Sequence, residues 1–141
     1  VTLSSSGVAG SYGLMLMRLR DLARYGLAFT DDATTKIASA RYINQIHTGD
    51  RALFRSEGGT DQYLRKQFYE GQGADFQSYH WDFIFEDDDF FKSGFGGQGL
   101  YISPSKRLVI GFFSASKDET NTNMYMTALV RSLALLENFK E

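Results

Sequence analysis

A lysine, a serine and a glycine-dense segment stand together at residues 92–99, where the chain reads Lys-Ser-Gly-Phe-Gly-Gly-Gln-Gly. The ammonium group of Lys92 can attract an anionic group, and the hydroxyl of Ser93 can donate a hydrogen bond. The glycines allow another molecule to approach the backbone closely. The apolar run that follows at 100–103 is typical of a strand. This segment is therefore the strongest candidate in the chain for a binding or catalytic site.

Other patterns in the chain suggest less chemistry. The acidic run at 86–89 consists of adjacent residues, whereas calcium needs oxygens that converge from several directions, so we predict a solvated turn. His47 and His80 stand alone in the sequence, without the ligand spacing of a zinc site. The glycines at 94–99 lack the Gly-Lys-Ser/Thr ending of a phosphate-binding loop. We therefore predict no bound metal and no cofactor.

The composition indicates a folded domain and excludes several classes of function. With 141 residues, 43% of them hydrophobic, the chain suits a single domain, or part of a larger one, with a substantial core. The net charge of −2 argues against a nucleic-acid binder, which needs clustered Lys and Arg. The absence of cysteine excludes a disulfide framework, a thiol nucleophile and a thiolate zinc site. No apolar run reaches the roughly 18–20 residues of a membrane span.

Hydrophobic periodicity predicts helices on either side of a group of strands. The alternation that begins at Tyr79 predicts a half-buried strand. The run at 108–113 is apolar on both faces, which predicts a central strand covered on both sides. The predicted helices span 18–28, 34–47, 60–69 and 122–137, and the predicted strands span 79–86, 90–93, 100–103 and 108–113.

The ends and faces of two helices can also be predicted. The second helix takes its cap from the segment 30–32 and stops at Gly49. The apolar stripe of the last helix, which we expect to pack on the sheet, consists of Met124, Ala128, Leu129, Leu133 and Leu136. The order of elements predicts one α+β domain with an antiparallel sheet flanked by helices. Its parts are a mainly helical segment at 1–75, antiparallel strands at 76–113 and a C-terminal helix at 120–139.

Two blocks of the sequence resemble the β-lactamase-related serine hydrolases, a family that includes class C β-lactamases, penicillin-binding proteins, esterases and amidases. The block at 90–113 contains Lys-Ser-Gly, a one-methyl variant of Lys-Thr-Gly, followed by Gly-Gly-Gln and a strand that ends near a proline. The block at 20–27 is similar to the Asp-Leu-Ala-Arg-Phe-Gly helix of the family. The two blocks occur in the order found in the family. The resemblance implies the C-terminal portion of a serine β-lactamase-like fold.

The resemblance also implies roles for four residues. Lys92 would supply positive charge beside a tyrosine or a carboxylate of the substrate, and Ser93 would donate a hydrogen bond to the substrate. Gly94 would let the substrate lie against the strand. The backbone N–H of Phe95 would be one donor of the oxyanion hole, which stabilises the negative charge of the transition state.

The nucleophile of the family is the serine of a Ser-x-x-Lys motif, which precedes the Lys-Thr-Gly motif together with a Tyr-x-Asn motif. The segments 103–106 and 114–117 match Ser-x-x-Lys only formally, because both follow Lys92 and lie in a turn or at a strand end. The segment 42–44 matches Tyr-x-Asn, but it lies within an amphipathic helix, where we interpret Tyr42 as a packing residue. We therefore expect both motifs on an N-terminal segment or on a second chain.

The sequence thus predicts the C-terminal portion of a serine hydrolase that cleaves a β-lactam, a peptide-like amide or a carboxylic ester through an acyl-enzyme. The chain by itself is predicted to be inactive. Its expected partners are the segment that carries the nucleophile, a small-molecule ester or amide, and a second copy of the chain where an incomplete sheet is exposed. The alternative is a noncatalytic α+β module that binds a ligand or another protein. The compartment stays open: the family favours the periplasm or secretion, and the cytoplasm is also compatible.

Overall fold

The computed structural model describes Gly7 and residues 16–30, 38–49, 74–94, 97–115 and 119–136, without the side chains of 74–78 and 119–125. The predicted α+β class is confirmed, with an antiparallel sheet and flanking helices, and the helix predicted at 60–69 lies outside the described residues. The helices are α1 (Leu19–Leu27), α2 (Ala40–Thr48) and α3 (Glu119–Ala134). The strands are β1 (Ala74–Ser78), β2 (Trp81–Phe85), β3 (Phe90–Gly94), β4 (Gln98–Ser103) and β5 (Leu108–Phe112).

The five strands of the described residues form a meander in which each strand pairs antiparallel with the next along the chain, so that β3 lies in the middle of these five. The first hairpin turns at Tyr79 and His80, whose φ angles are 49° and 68°. Positive φ at both central residues matches the twist that two-residue hairpins favour. The strand predicted at 79–86 therefore begins later, at Trp81, and its first two predicted residues belong to the turn.

Each face of the sheet carries its own apolar cluster, one against α1 and α2 and the other against α3. Consecutive residues of β2 enter opposite clusters: Ile84 lies in the first and Phe85 in the second, and both are fully buried. The half-buried strand predicted there is wrong, because helices cover both faces of the sheet. The strand residues of the first cluster are Trp81, Ile84, Phe90, Leu100 and Ile102, and those of the second are Phe85, Phe91 and Tyr101.

The last strand is half-buried and contacts an apolar cluster on each face, but it is not central among the described strands. Val109 packs against the first cluster and Ile110 against the second, which accounts for the doubly apolar sequence of β5. A Cβ on Gly26 would lie only 2.5 Å from Cγ1 of Val109, so α1 packs directly on this strand. Within the part of the chain that the structure describes, β5 is the last strand of the sheet. The central position predicted for β5 is therefore wrong among these strands. Apolar residues on both faces of a strand show that other layers pack against it, but they do not show that a strand pairs with each of its edges.

Helix α2 begins six residues after the predicted start at 34. Its N-cap is Ser39, whose Oγ accepts a hydrogen bond from the backbone N–H of Tyr42 at 3.1 Å. This bond satisfies one of the N–H groups that the first turn of a helix leaves unpaired. The predicted end is confirmed, since Gly49 is the C-cap.

The apolar stripe predicted for α3 is wrong. Leu129 is 51% exposed and Leu133 is 39% exposed, whereas Val130 and Arg131 are buried. The helix is turned so that Arg131 faces the acidic turn between β2 and β3, where it forms ion pairs. Of the remaining predicted stripe, Leu136 is 48% exposed, Ala128 is half-buried and Met124 lies outside the described side chains.

Gly99 on β4 has a packing role that can be tested. A Cβ there would lie 2.6 Å from Cζ of Phe112 and 2.7 Å from Cε2 of Phe91, two rings that stack at 6.2 Å between centroids. Both rings are held by their strands, so neither can move away easily. We expect Gly99→Ala to lower the free energy of unfolding by about 1–3 kcal/mol, as overpacking of a core typically does. Urea unfolding followed by tryptophan fluorescence measures this change.

Gly111 provides the matched control on the neighbouring strand. A Cβ there would meet its nearest neighbours, Cδ2 of Leu22 and Cδ1 of Leu19, at 3.6 and 3.7 Å, which is ordinary van der Waals contact. We expect Gly111→Ala to change the free energy of unfolding by less than about 1 kcal/mol, because the added methyl fits and the unfolded chain loses freedom. Equal losses in the two variants would contradict the packing role of Gly99.

Candidate functional site

The Lys-Ser-Gly motif forms the end of β3, the middle strand of the described sheet. Lys92 pairs with Leu100, Ser93 with Gly99 and Gly94 with Gln98 on strand β4. The Lys92 side chain is 44% exposed, and Ser93 and Gly94 are half-buried, so all three can be reached from solvent. Phe95, the predicted oxyanion-hole donor, lies outside the described residues.

A carboxylate that the sequence analysis did not single out joins the lysine to the serine. Asp82 of β2 accepts a hydrogen bond from Nζ of Lys92 on Oδ1 at 2.7 Å. Its other oxygen, Oδ2, accepts from both Oγ of Ser93 at 2.5 Å and the backbone N–H of Ser93 at 2.7 Å. Asp82 is 24% exposed, so this charge-assisted cluster is partly shielded from water.

The position of Asp82 follows from the antiparallel register of β2 and β3. Phe83 pairs with Phe91, so one further step along both strands brings Asp82 opposite Lys92. Backbone pairing between the two strands ends at Phe83. Beyond that residue, the carboxylate of Asp82 accepts a hydrogen bond from the backbone N–H of Ser93. The sequence did contain a signal for this residue: Asp82 is an acidic residue in a mostly apolar strand, two residues before the buried Ile84.

The glycine-dense connection between β3 and β4 is fixed at one point by a serine. Gly97 has a φ of 84°, a conformation that favours glycine, and its carbonyl accepts a hydrogen bond from the hydroxyl of Ser114. A Cβ on Gly94 would lie 2.6 Å from Cγ of Gln98, a flexible side chain that could give way. Gly97 is thus required by the backbone, whereas the space over Gly94 is taken by the side chain of Gln98.

The formal Ser-x-x-Lys matches lie in structural contacts. Ser103 is fully buried at the end of β4. Lys106, the lysine of the same match, lies with Nζ 3.6 Å from Oδ2 of Asp89. Ser114 donates to the Gly97 carbonyl, as described above. Tyr42 packs against the first cluster with its ring edge-on to Tyr79, as a packing residue would.

A second polar cluster lies on the α3 face of the sheet. Arg131 donates from Nη1 to Asp87 at 2.8 Å, to Asp89 at 3.0 Å and to the hydroxyl of Tyr101 at 2.8 Å, and its guanidinium lies 4.4 Å from the centroid of the Phe85 ring. The hydroxyl of Tyr101 donates to Asp89. Burial, together with the charge of Asp89, raises the pKa of Tyr101 far above its ordinary value. Arg131, Asp89 and Tyr101 are buried, which favours a structural role for this cluster.

The solvated turn predicted at 86–89 is correct for three of the four residues. Glu86, Asp87 and Asp88 are exposed, whereas Asp89 is fully buried because it pairs with Arg131. Among the described residues, no group of three or more acidic or histidine side chains could hold a metal ion. None of the helices described here is both long and apolar enough to cross a bilayer.

His47 gives the fold a pH dependence that can be measured. Its side chain is 14% exposed, its Nδ1 lies 3.4 Å from Oδ1 of Asp88, and its ring lies edge-on to Phe90. Burial lowers the pKa of His47 and outweighs the opposing charges of Asp88 and Asp89. As the pH falls through about 6.5, the unfolded chain therefore gains a proton before the folded chain does, and stability decreases.

We expect the unfolding midpoint in urea to fall between pH 7 and pH 5 by more in the parent chain than in His47→Gln. Above pH 7 the unfolding midpoints of the two chains should depend on pH in the same way, because the histidine is neutral in both the folded and the unfolded chain. His80→Gln is the control, because His80 is exposed at the turn between β1 and β2. Identical pH profiles for the parent and His47→Gln would contradict this prediction.

Comparison with known families, with curated proteins and with solved structures finds no match to this chain. The function must therefore be argued from the residues at the end of β3 and from the carboxylate beside them.

Proposed function

We propose that this chain forms the C-terminal portion of a serine hydrolase that cleaves esters or amides through an acyl-enzyme. The observation that carries the proposal is the grouping of the Lys92 ammonium and the Ser93 hydroxyl at the accessible end of the central strand. Next to them, the strand ends at Gly94, which has no side chain of its own. The resemblance of the segments 90–113 and 20–27 to the β-lactamase-related hydrolases supports the same function.

In the proposed reaction, a serine from a Ser-x-x-Lys motif outside this chain attacks the carbonyl carbon of the substrate. The bond from that carbon to the leaving oxygen or nitrogen breaks, and the leaving group takes up a proton. Water then hydrolyses the acyl-enzyme and restores the serine. Lys92 stabilises negative charge near the reacting groups, and the predicted N–H of Phe95 binds the oxyanion. Ser93, whose hydroxyl proton is donated to Asp82, holds that carboxylate in place.

The exposed apolar residues of α3 support the proposal that another segment covers this helix. Leu129 and Leu133 point outward from the helix, and both are substantially exposed. Exposed apolar stripes on helices usually mark surfaces that another element covers. An N-terminal segment that carries the nucleophile would supply such an element.

A covalent probe tests the proposed hydrolase. The protein that contains this chain together with its upstream sequence is incubated with a fluorophosphonate, and the labelled peptide is found by mass spectrometry. We expect stoichiometric labelling of a serine in an upstream Ser-x-x-Lys motif and no labelling of this chain alone. Labelling of Ser103, Ser105, Ser114 or Ser116 would show that the active site lies elsewhere. No labelling at any serine would contradict the hydrolase.

A noncatalytic binding module is the second candidate, and one contact favours it. The ion pair of Lys92 with Asp82 already balances the charge of the lysine, so the cluster is complete without a reactant. In that case the upstream sequence should lack a Ser-x-x-Lys motif, and the probe should label nothing.

A further inference from the structure

The carboxylate of Asp82 occupies the two donors that a carboxylate of a substrate would use. One oxygen accepts from Nζ of Lys92 at 2.7 Å, and the other accepts from Oγ of Ser93 at 2.5 Å. This bidentate arrangement is the one that an ammonium and a neighbouring hydroxyl offer to any carboxylate. The protein has therefore placed its own anion at the position where an anionic substrate would bind.

We propose that Asp82 determines the specificity of the site, so that it accepts neutral ester or amide substrates and rejects those that carry a carboxylate beside the reacting bond. This inference rests on the proposed function for the reaction, and on the geometry of Asp82 for the choice of substrate. The positive charge of Lys92 and the negative charge of Asp82 cancel locally. A second carboxylate would meet no net attraction and would lie beside a like charge.

A substrate cannot easily displace Asp82. Besides the two side-chain donors, Oδ2 accepts the backbone N–H of Ser93 at 2.7 Å. If Asp82 swung away, this N–H at the half-buried end of β3 would lose its acceptor, and the carboxylate would lose three charge-assisted hydrogen bonds at once. The carboxylate is thus a fixed part of the site.

The cluster still leaves donors for an uncharged substrate. An ammonium group has three N–H donors, and one of them points at Asp82. The Lys92 side chain is 44% exposed, so the other two can reach the carbonyl oxygen of a neutral ester or amide. Asp82 therefore removes the attraction for an anion without closing the site to a neutral acceptor.

Binding of two small probes to this chain tests the inference without any catalysis. Phenylacetate and phenylacetamide differ only in the carboxylate, and the backbone amide resonances of Ser93 and Gly94 report binding at the strand end. We expect Asp82→Asn to bind phenylacetate about tenfold more tightly than the parent chain, and to change the affinity for phenylacetamide by much less. Replacing Lys92 with Ala in the Asp82→Asn background should abolish the gain.

Two further variants make the binding test decisive. Asp82→Ser also removes the charge, and it covers the case in which the asparagine variant disturbs the strand. Asp21→Asn is the matched control, because Asp21 forms an exposed ion pair with Arg24 on α1, and it should leave both affinities unchanged. If the parent chain binds phenylacetate as tightly as both Asp82 variants do, the inference is overturned.

Ester hydrolysis by the protein that also contains the upstream sequence separates this inference from the proposed function. The substrates are nitrophenyl butyrate and the nitrophenyl half-ester of succinate, which carries a carboxylate. We expect the parent to prefer the butyrate by about tenfold or more in kcat/KM, and Asp82→Asn to reduce that preference. Equal turnover of both esters by the parent would overturn the specificity while leaving the hydrolase intact. No turnover of either ester, with the binding result upheld, would contradict the hydrolase alone.

Discussion

Replacement of Arg131 with Met should lower the free energy of unfolding by about 3–5 kcal/mol, because removing the nearer cation of a buried ion pair leaves the other charge poorly compensated. Asp89 is fully buried and pairs with Arg131 at 3.0 Å. Without the guanidinium, its remaining partners are the hydroxyl of Tyr101 and the ammonium of Lys106 at 3.6 Å. The cation–π contact with Phe85 is lost as well. Urea unfolding of the two chains at pH 7 measures the difference.

An exposed arginine provides the control for this prediction. Arg24 on α1 pairs with Asp21 at 3.3 Å, and both side chains are more than half exposed. Arg24→Met should change the free energy of unfolding by less than about 0.5 kcal/mol, since exposed ion pairs contribute little. A loss below about 1 kcal/mol in Arg131→Met would mean that the buried network does not hold α3 on the sheet.

The same arginine explains why the face of α3 could not be predicted from its apolar residues. The spacing of Leu129, Leu133 and Leu136 favours one face, whereas the apolar residues that the helix buries in the second cluster are Val130 and Ala134. The choice is made by Asp87 and Asp89, more than forty residues away along the chain, whose charges hold Arg131 inward. A periodic pattern reports which residues can be buried together, but long-range ion pairing decides which of them are.

The strands were easier to predict than their places in the sheet. The strands predicted at 90–93, 100–103 and 108–113 have ends within two residues of those in the structure, since the apolar runs and turn residues mark them locally. The position of β5 at the end of the sheet depends on which backbone groups pair, and the side-chain pattern does not encode this. The turn at Tyr79 and His80 lacks the Asn-Gly or Asp-Gly signal of such hairpins, so the first strand was missed.

At the candidate site, the sequence indicated the donors but not the acceptor between them. Lys92, Ser93 and Gly94 are adjacent, so their proximity follows from the chain itself. Asp82 is ten residues from Lys92, and its contact depends on the register that the β2–β3 turn imposes. Alternation within β2 placed Asp82 on one face of a strand, but the partner across the sheet became visible only with the fold.

The largest effect on activity is expected at Lys92. If the chain is part of the proposed hydrolase, Lys92→Ala in the protein that carries the nucleophile should lower the rate of acylation by about 100-fold or more, because the ammonium N–H that would donate to the carbonyl oxygen of the substrate is lost. Asp82 would then stand uncompensated beside the reacting groups. Arg20→Ala on the exposed side of α1 is the control and should leave the rate unchanged. Single-turnover release of nitrophenol measures acylation directly.

Two further variants distinguish a direct role of Lys92 from simple neutralisation of Asp82. In Lys92→Arg the charge remains, but the planar guanidinium replaces a compact ammonium that Asp82 holds at 2.7 Å, so the rate should stay well below that of the parent. Removing both charges in the Lys92→Ala, Asp82→Asn double variant should not restore the rate if the ammonium acts on the reacting groups. Recovery to the parental rate in the double variant would show that Lys92 serves only to balance Asp82. Parental rates in both single variants of Lys92 would remove the main support for the hydrolase.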